Sequence, residues 1–200
     1  MPKPLPFRLI LASGSRDRRK LLAEAGYIFD VIPADINEPR QAAYGDCQQY
    51  VQEVAWLKAA ATAKRVADGS ILTADTVGWF RGEVIGKPDD ADDARRIIRS
   101  LAGQVHELWT GCTLWKRPED WQLSWQEVSE CVVKRFSDSE LEAYIATKRW
   151  VGCSGAYSID GPDDPYVRVV KGSVSNVIGL PMESLELMLA RAAKLGEPGT

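Results

Sequence analysis

Leu9-Ile10-Leu11-Ala12-Ser13-Gly14-Ser15-Arg16-Asp17-Arg18-Arg19-Lys20-Leu21-Leu22 decides how the chain is read. Phe7 to Ala12 is an apolar run of strand length. Ser13-Gly14-Ser15 supplies a polar turn, and Ser15 is a good N-cap for a helix. Leu21, Leu22 and Ala25 recur at helical spacing, and Gly26 marks the helix end. Strand, turn and helix in this order open an α/β fold. The charge is unusual, because Arg16, Arg18 and Arg19 crowd the first turn. The helix dipole already presents partial positive charge there, at a cost of up to ~1 kcal/mol per cation. Either these are solvated surface arginines, or backbone N–H groups, hydroxyls and guanidinium groups converge on an anion such as phosphate.

Outward from this stretch, Tyr27 to Ile32 reads as a second strand, and Pro33 to Gly45 as a polar loop with Asp35, Asn37 and Glu38. Asp46 to Ala67 reads as a long helix whose apolar stripe includes Val51, Val54, Leu57, Ala61 and Val66. Lys58 falls on that stripe, so it either snorkels or points its ammonium into a polar cleft. Ser70 to Ala74 is an expected strand with Asp75-Thr76 at its end, where α/β folds expose catalytic side chains. Val77 to Ile85, turning at Arg81-Gly82, has a hairpin signature, and Lys87 comes next between Gly86 and Pro88.

Asp90 to Leu101 is an expected helix, with acidic residues early and arginines late. Gln104–Trp115 and Trp121–Phe136 are expected strands around a polar turn. Ser137 opens a helix to about Thr147 with a capping box completed by Glu140. Lys148 to Asp164 is a Gly-rich loop, Tyr166–Val170 and Val174–Ile178 read as strands, and Met182–Leu195 as the last helix before a fraying tail, Gly196 to Thr200. No repeat or linker divides the 200 residues, so one domain is expected over 1–200, with its ordered core at 7–195.

The composition, 45% hydrophobic and 26% charged, is that of a globular protein. A net charge of −3 disfavours a nucleic-acid polymer as partner. The N-terminal Met1-Pro2-Lys3-Pro4-Leu5-Pro6 lacks the apolar core of a secretion signal. No apolar run approaches the ~20 residues that cross a bilayer. Cys47, Cys112, Cys131 and Cys153 form no CxxC pair, and His106 is the single histidine, which argues against a zinc site and for a reduced, cytoplasmic setting. His106 reads as structural, the cysteines as buried small residues, and Trp56, Trp115, Trp121, Trp125 and Trp150 as core or dimer surface. Trp79 and Trp109 lie nearer the expected cleft.

Ser13, Ser15, Arg18, Glu38, Lys58, Asp75, Lys87 and Asp160 combine cations, carboxylates and hydroxyls. That is the inventory of phosphoryl transfer, which needs positioning and charge neutralisation, with a divalent ion on the carboxylates completing it. Taken singly, Lys87 could be a turn lysine and Asp75 a cap.

The blocks in order carry a resemblance. They are LASGSRDRRKLL, Asn37-Glu38, Lys58, Ala74-Asp75-Thr76, Gly86-Lys87-Pro88, Leu101 to His106, Thr110-Gly111, Gly155-Ala156-Tyr157, and Val177-Ile178-Gly179-Leu180-Pro181. This series resembles the Maf family from Leu9 to about Leu189. The resemblance implies a nucleoside triphosphate pyrophosphatase that uses Mg²⁺ or Mn²⁺ and releases the monophosphate and pyrophosphate, a nucleotide-pool housecleaning activity. It implies an α/β fold like that of inosine triphosphatase, a mixed twisted sheet with flanking helices and two lobes around a deep cleft, often as a homodimer. The family has also been linked to septum formation, so a nucleotide-sensing regulator without turnover is the rival reading.

By resemblance Asp75 is the general base. Ser13, Ser15, Arg18, Lys58 and Lys87 bind phosphate, and Glu38 joins Asp75 at the metal. Asp17, Thr76 and Asp160 fall at positions that separate substrate groups. The dTTP/UTP group has Arg, Thr and Gln there, and the 7-methyl-GTP group has Trp, Gln and Glu. This chain matches neither set. Its Arg18-Arg19 register and the carboxylate at Asp160 lean towards 7-methyl-GTP, and Thr76 points towards the pyrimidines; the expectation is a modified purine such as 7-methyl-GTP, with dTTP/UTP as the alternative.

Overall fold

The computed structural model describes residues 2–39 and 46–195. The expectations for Pro33–Gly45 beyond residue 39, and for the tail from Gly196, therefore lie outside the described residues. The elements are β1 (Leu9–Leu11), α1 (Arg16–Glu24), β2 (Asp30–Val31), α2 (Cys47–Ala63), β3 (Gly69–Phe80), β4 (Glu83–Ile85) and α3 (Ala91–Leu101). They continue with β5 (Val105–Arg117), β6 (Gln122–Val133), α4 (Asp138–Ala146), a 3-10 turn (Ser154–Ala156), β7 (Val167–Lys171), α5 (Val174–Ile178) and α6 (Met182–Leu195). The strands form one mixed sheet in the order β2-β1-β3-β5-β6-β7, with β4 on β3. β1 runs parallel to β2 and β3, whereas β4 and β7 pair antiparallel with β3 and β6.

The chain divides into two compact units. One contains residues 1–75, 110–126 and 179–200, and the other residues 76–109 and 127–178. In the first, β1 is covered on both faces. Leu9 and Leu11 pack with Leu22 of α1 and Leu185 and Leu189 of α6, while Ile10 packs with Ala63 of α2 and Val66 beyond it. That alternation is the two-residue period of a strand, and burial on both faces explains why LILA has no polar positions. In the second unit, Ile97, Ile98 and Leu101 of α3 and Leu141 and Tyr144 of α4 pack on Leu108, Cys131 and Val133 of the sheet.

The caps expected at Ser15 and Ser137 are present, and Asp46 and Asp90, expected as the first residues of their helices, are also N-caps. Ser15, Asp46 and Asp90 each accept a bond from a backbone N–H of the first turn, and Ser137 and Glu140 form a complete capping box. Arg81 and Gly82 both take positive φ, 54° and 85°, as a two-residue hairpin turn requires.

Three expectations are corrected. The strand expected over Tyr27–Ile32 shortens to Asp30–Val31. Asp75 does not end a strand: β3 runs unbroken for 12 residues, and Asp75 lies inside it. Val174–Ile178 is a helix, not a strand. Its valines favour β structure, but Ser173 Oγ accepts from the Asn176 N–H at 3.1 Å and caps a helical turn. Asn176 Nδ2 then donates to Leu108 O and Ser129 Oγ, which fixes that turn in the core. No helix of the described residues is long and apolar enough to cross a membrane.

Two local constraints give measurable consequences. A Cβ at Gly111 of β5 would lie 2.5 Å from the Val51 carbonyl carbon and oxygen, so α2 rests directly on the sheet backbone. Replacing Gly111 by Ala must push backbone, and about 3 kcal/mol of stability is the expected loss in urea unfolding.

His106 is buried, its Nε2 2.6 Å from the Tyr157 hydroxyl and its Nδ1 3.4 Å from Gln104 O. Burial pushes its pKa from 6.5 down to about 4. The unfolded chain therefore takes up a proton below pH 6.5 that the folded chain refuses until about pH 4. Stability present above pH 6.5 is lost progressively across that window, by about 3 kcal/mol at its acid end. His106→Gln removes this component, so the stability difference between wild type and variant should shift by that amount between pH 7 and pH 4.

Candidate active site

Ser13 begins the site at the end of β1. Its Oγ accepts from the Ser15 N–H at 3.2 Å and from an Arg18 guanidinium N–H at 3.3 Å. Ser15 Oγ caps α1 by accepting from the Arg18 N–H. The Arg18 side chain also donates from Nε to Gly179 O at 2.7 Å, a partner 161 residues away. Arg18 is thus half-buried and held in place, whereas Arg16, Asp17 and Arg19 are exposed. Of the three arginines on the first turn, only Arg18 is built into this corner, and Arg19 reaches back to Gly14 O at 3.4 Å.

Asp75 is 6% exposed in the interior of β3. Lys58 Nζ lies 2.7 Å from Asp75 Oδ1 and 2.7 Å from Glu38 Oε1. Lys58 therefore does not snorkel. It leaves the apolar stripe of α2 to place an ammonium between two carboxylates. Burial raises the Asp75 carboxyl above the usual carboxylate range, against the opposing pull of Lys58 and Arg18. Glu38, with its side chain 37% exposed, adds negative charge that reinforces the rise. A carboxylate is thus kept in a dry environment, in contact with Lys58 and within the positive field of Arg18.

Sequence reasoning brought Ser13, Ser15, Arg18, Glu38, Lys58 and Asp75 together, and all six belong to the first unit. Thr76, Lys87 and Asp160 belong to the second. Lys87 is exposed in the loop after β4. Asp160, with its side chain 78% exposed, is paired with Arg149 at 3.2 Å. Arg149 does not stand out in the sequence. It also contacts Asp164, whose side chain is fully buried, at 2.5 Å and donates to Ser158 O at 2.9 Å. The signal for it was an arginine at the head of a Gly-rich loop that ends in Asp160, Asp163 and Asp164.

Other readings are settled by burial. His106 belongs to the core, and Cys47, Cys112 and Cys131 are buried while Cys153 is partly so. Trp125 is buried and donates to Ser184 Oγ, while Trp56, 39% exposed, packs against Trp115 with ring centroids 5.9 Å apart. Among the described residues no group of three or more His, Cys, Asp or Glu side chains is arranged to hold a metal ion.

A mixed sheet with flanking helices, bearing a buried carboxylate paired to a lysine, defines an α/β protein with a charged candidate site. Among solved structures, the Staphylococcus aureus Ham1 protein shares this fold, with a TM-score of 0.52 over 92% of this chain and 97% of its own at 8% identity. The family described as Maf-like protein matches residues 8–192, and the chain belongs to it.

Relatives carry an activity in their names. The dTTP/UTP pyrophosphatase of Anaeromyxobacter dehalogenans strain 2CP-C is 40% identical over 187 residues, covering 92% of this chain and 94% of its own. That of Geobacter sulfurreducens is 39% identical over 176 residues, covering 88% and 91%.

The buried charges make a stability prediction. Lys58→Met leaves Asp75 without its ammonium and should cost about 3 kcal/mol near neutral pH. Adding Asp75→Asn removes the stranded charge, so the double variant should recover part of that loss in chemical unfolding.

Proposed function

We propose that the protein hydrolyses nucleoside triphosphates between the α and β phosphates, releasing the monophosphate and pyrophosphate. The observation that carries this reading is the buried Asp75 paired to Lys58 beside Arg18 and the start of α1. The names of the relatives support the reaction class.

In this mechanism Ser13, the N-terminal N–H groups of α1 and Arg18 receive phosphate oxygens; the family resemblance separately gives Lys87 the role of a phosphate-binding lysine. Lys58 holds Asp75 by Oδ1 and screens it from the incoming polyanion. The second carboxylate oxygen of Asp75 takes the proton of the attacking water as the new P–O bond forms and pyrophosphate departs. A carboxyl held above its usual range accepts that proton more readily than an exposed aspartate would.

The residues present suit a divalent cation of the Mg²⁺ or Mn²⁺ type. Glu38 and Asp75 supply hard oxygen donors that already converge on one positive centre. Mg²⁺ commonly takes one or two carboxylates with the remaining ligands from phosphate and water. When bound, it would neutralise phosphate charge and acidify coordinated water.

For the base, we favour the pyrimidines of dTTP and UTP over 7-methyl-GTP. The relatives bear that name, and Thr76 agrees with that group. Arg149 also alters the lean drawn from Asp160. A lone carboxylate would favour a cationic methylated guanine, but Asp160 is already paired with a guanidinium. The pair offers a donor beside an acceptor, as an amide does.

The test is pyrophosphate release from a nucleotide panel with Mg²⁺ and Mn²⁺. UTP or dTTP should be turned over at least about tenfold faster than 7-methyl-GTP, and Asp75→Asn should lose at least about 100-fold in kcat. The reverse ranking would transfer the base assignment to 7-methyl-GTP. Nucleotide binding with no turnover of any triphosphate would leave a sensor in place of an enzyme.

A further inference from the structure

The hairpin β3–β4 pairs Phe80 with Glu83, Trp79 with Val84 and Gly78 with Ile85, and its described register stops there. Extended by two residues, the same register would set Thr76 opposite Lys87. At this point another element supplies hydrogen bonds to both strands. Ser154 Oγ donates to Thr76 O at 3.0 Å, and the Gly155 N–H donates to Gly86 O at 3.1 Å. The first bond holds the peptide that joins Thr76 to Val77, one residue beyond Asp75. The second holds the peptide that joins Gly86 to Lys87.

The turn itself is held firmly. Gly155 and Ala156 take φ of 78° and 59°, so the turn relies on left-handed backbone at two successive positions. A Cβ at Gly155 would meet the Tyr157 ring at 3.0 Å. Tyr157 is buried, with its hydroxyl bonded to His106. An exposed, four-carbon lysine gains little orientation from its own rotamers, so the path of its backbone decides where the ammonium can reach.

We infer that Ser154 and Gly155 are positioning residues, a clip that takes over where the hairpin ladder ends and fixes the backbone of Thr76 and of Lys87 for the triphosphate. This rests on the reading that Lys87 binds phosphate. The contact to Thr76 needs a side-chain hydroxyl, so a substitution at Ser154 can remove it without touching the site.

The experiment measures UTP hydrolysis and, separately, calorimetric binding of tripolyphosphate for wild type, Ser154→Ala, Ser154→Thr, Lys87→Met and the Ser154→Ala/Lys87→Met double variant. Ser154→Ala should lower kcat on UTP and tripolyphosphate affinity by about five- to tenfold, the worth of one hydrogen bond. Ser154→Thr should restore most of both. In the Lys87→Met background Ser154→Ala should cost less than about twofold, the non-additivity expected when one residue acts through another.

Wild-type values for Ser154→Ala, or an equal cost in both backgrounds, overturn the inference. So does a loss that Ser154→Thr fails to restore while the melting temperature falls, because that is the mark of a fold defect. If wild type turns over no triphosphate, the proposed function fails, and the tripolyphosphate arm still decides the inference.

Discussion

A carboxylate inside a central strand has to be compensated, and much of the first unit depends on how Asp75 is compensated. Its burial costs several kcal/mol unless a cation lies close by. Lys58 provides that cation from α2, which requires the helix to present a lysine from its apolar stripe. The helix meets the sheet closely enough because Gly111 has no side chain to hold Val51 away. The ammonium in turn engages Glu38, bringing the loop after β2 to the same point. Arg18 contributes a second positive field, and it can do so because Gly179 O and Ser13 Oγ hold its guanidinium. Through Lys58, one buried charge thus ties together a strand, a helix and the loop that carries Glu38.

The second unit is organised by a different economy of polar groups. Its Gly-rich loop is anchored both by Ala156, Tyr157 and Ile159 in the core and by buried hydrogen bonds. Asp164 is fully enclosed and receives the Tyr166 and Val167 N–H groups together with Arg149. Tyr157 reaches His106, and Arg149 lies over the Tyr166 ring at 5.4 Å from its centroid. A loop tied at so many points presents fixed backbone.

Legibility in the sequence tracked the range of the interaction. Helix starts were plain because each cap is an exchange between neighbours: Ser15 with Arg18, Asp46 with Gln49, Asp90 with Asp93, Ser137 with Glu140. The two-sided burial of β1 was plain from its uninterrupted apolar run. The interior position of Asp75 was not, because a charged residue in a strand reads as its end unless its partner, 17 residues earlier on a helix, is known. The same ambiguity left Lys58 between snorkelling and pairing. Val174–Ile178 misled because β-branched composition outweighed a single serine cap and a buried asparagine whose partners lie in β5 and β6. Arg149 and Ser154 were missed for a like reason: their importance lies in the backbone and carboxylates they reach, not in any spacing.

The bond from Arg18 to Gly179 bears on the order in which the molecule can be made. The first unit is discontinuous, and its core joins Leu9 and Leu11 to Leu180, Leu185 and Leu189. A chain emerging from the ribosome has all of the second unit's sequence in hand before α6 appears. The corner around Arg18 waits, with Arg18 lacking the Gly179 carbonyl and the Leu9–Leu11 face of β1 covered by α1 but not yet by α6, until the segment from Gly179 onward is made. A chain cut short before Gly179 would thus carry Ser13, Arg18, Lys58 and Asp75 and still lack the carbonyl and the helix that hold their corner together.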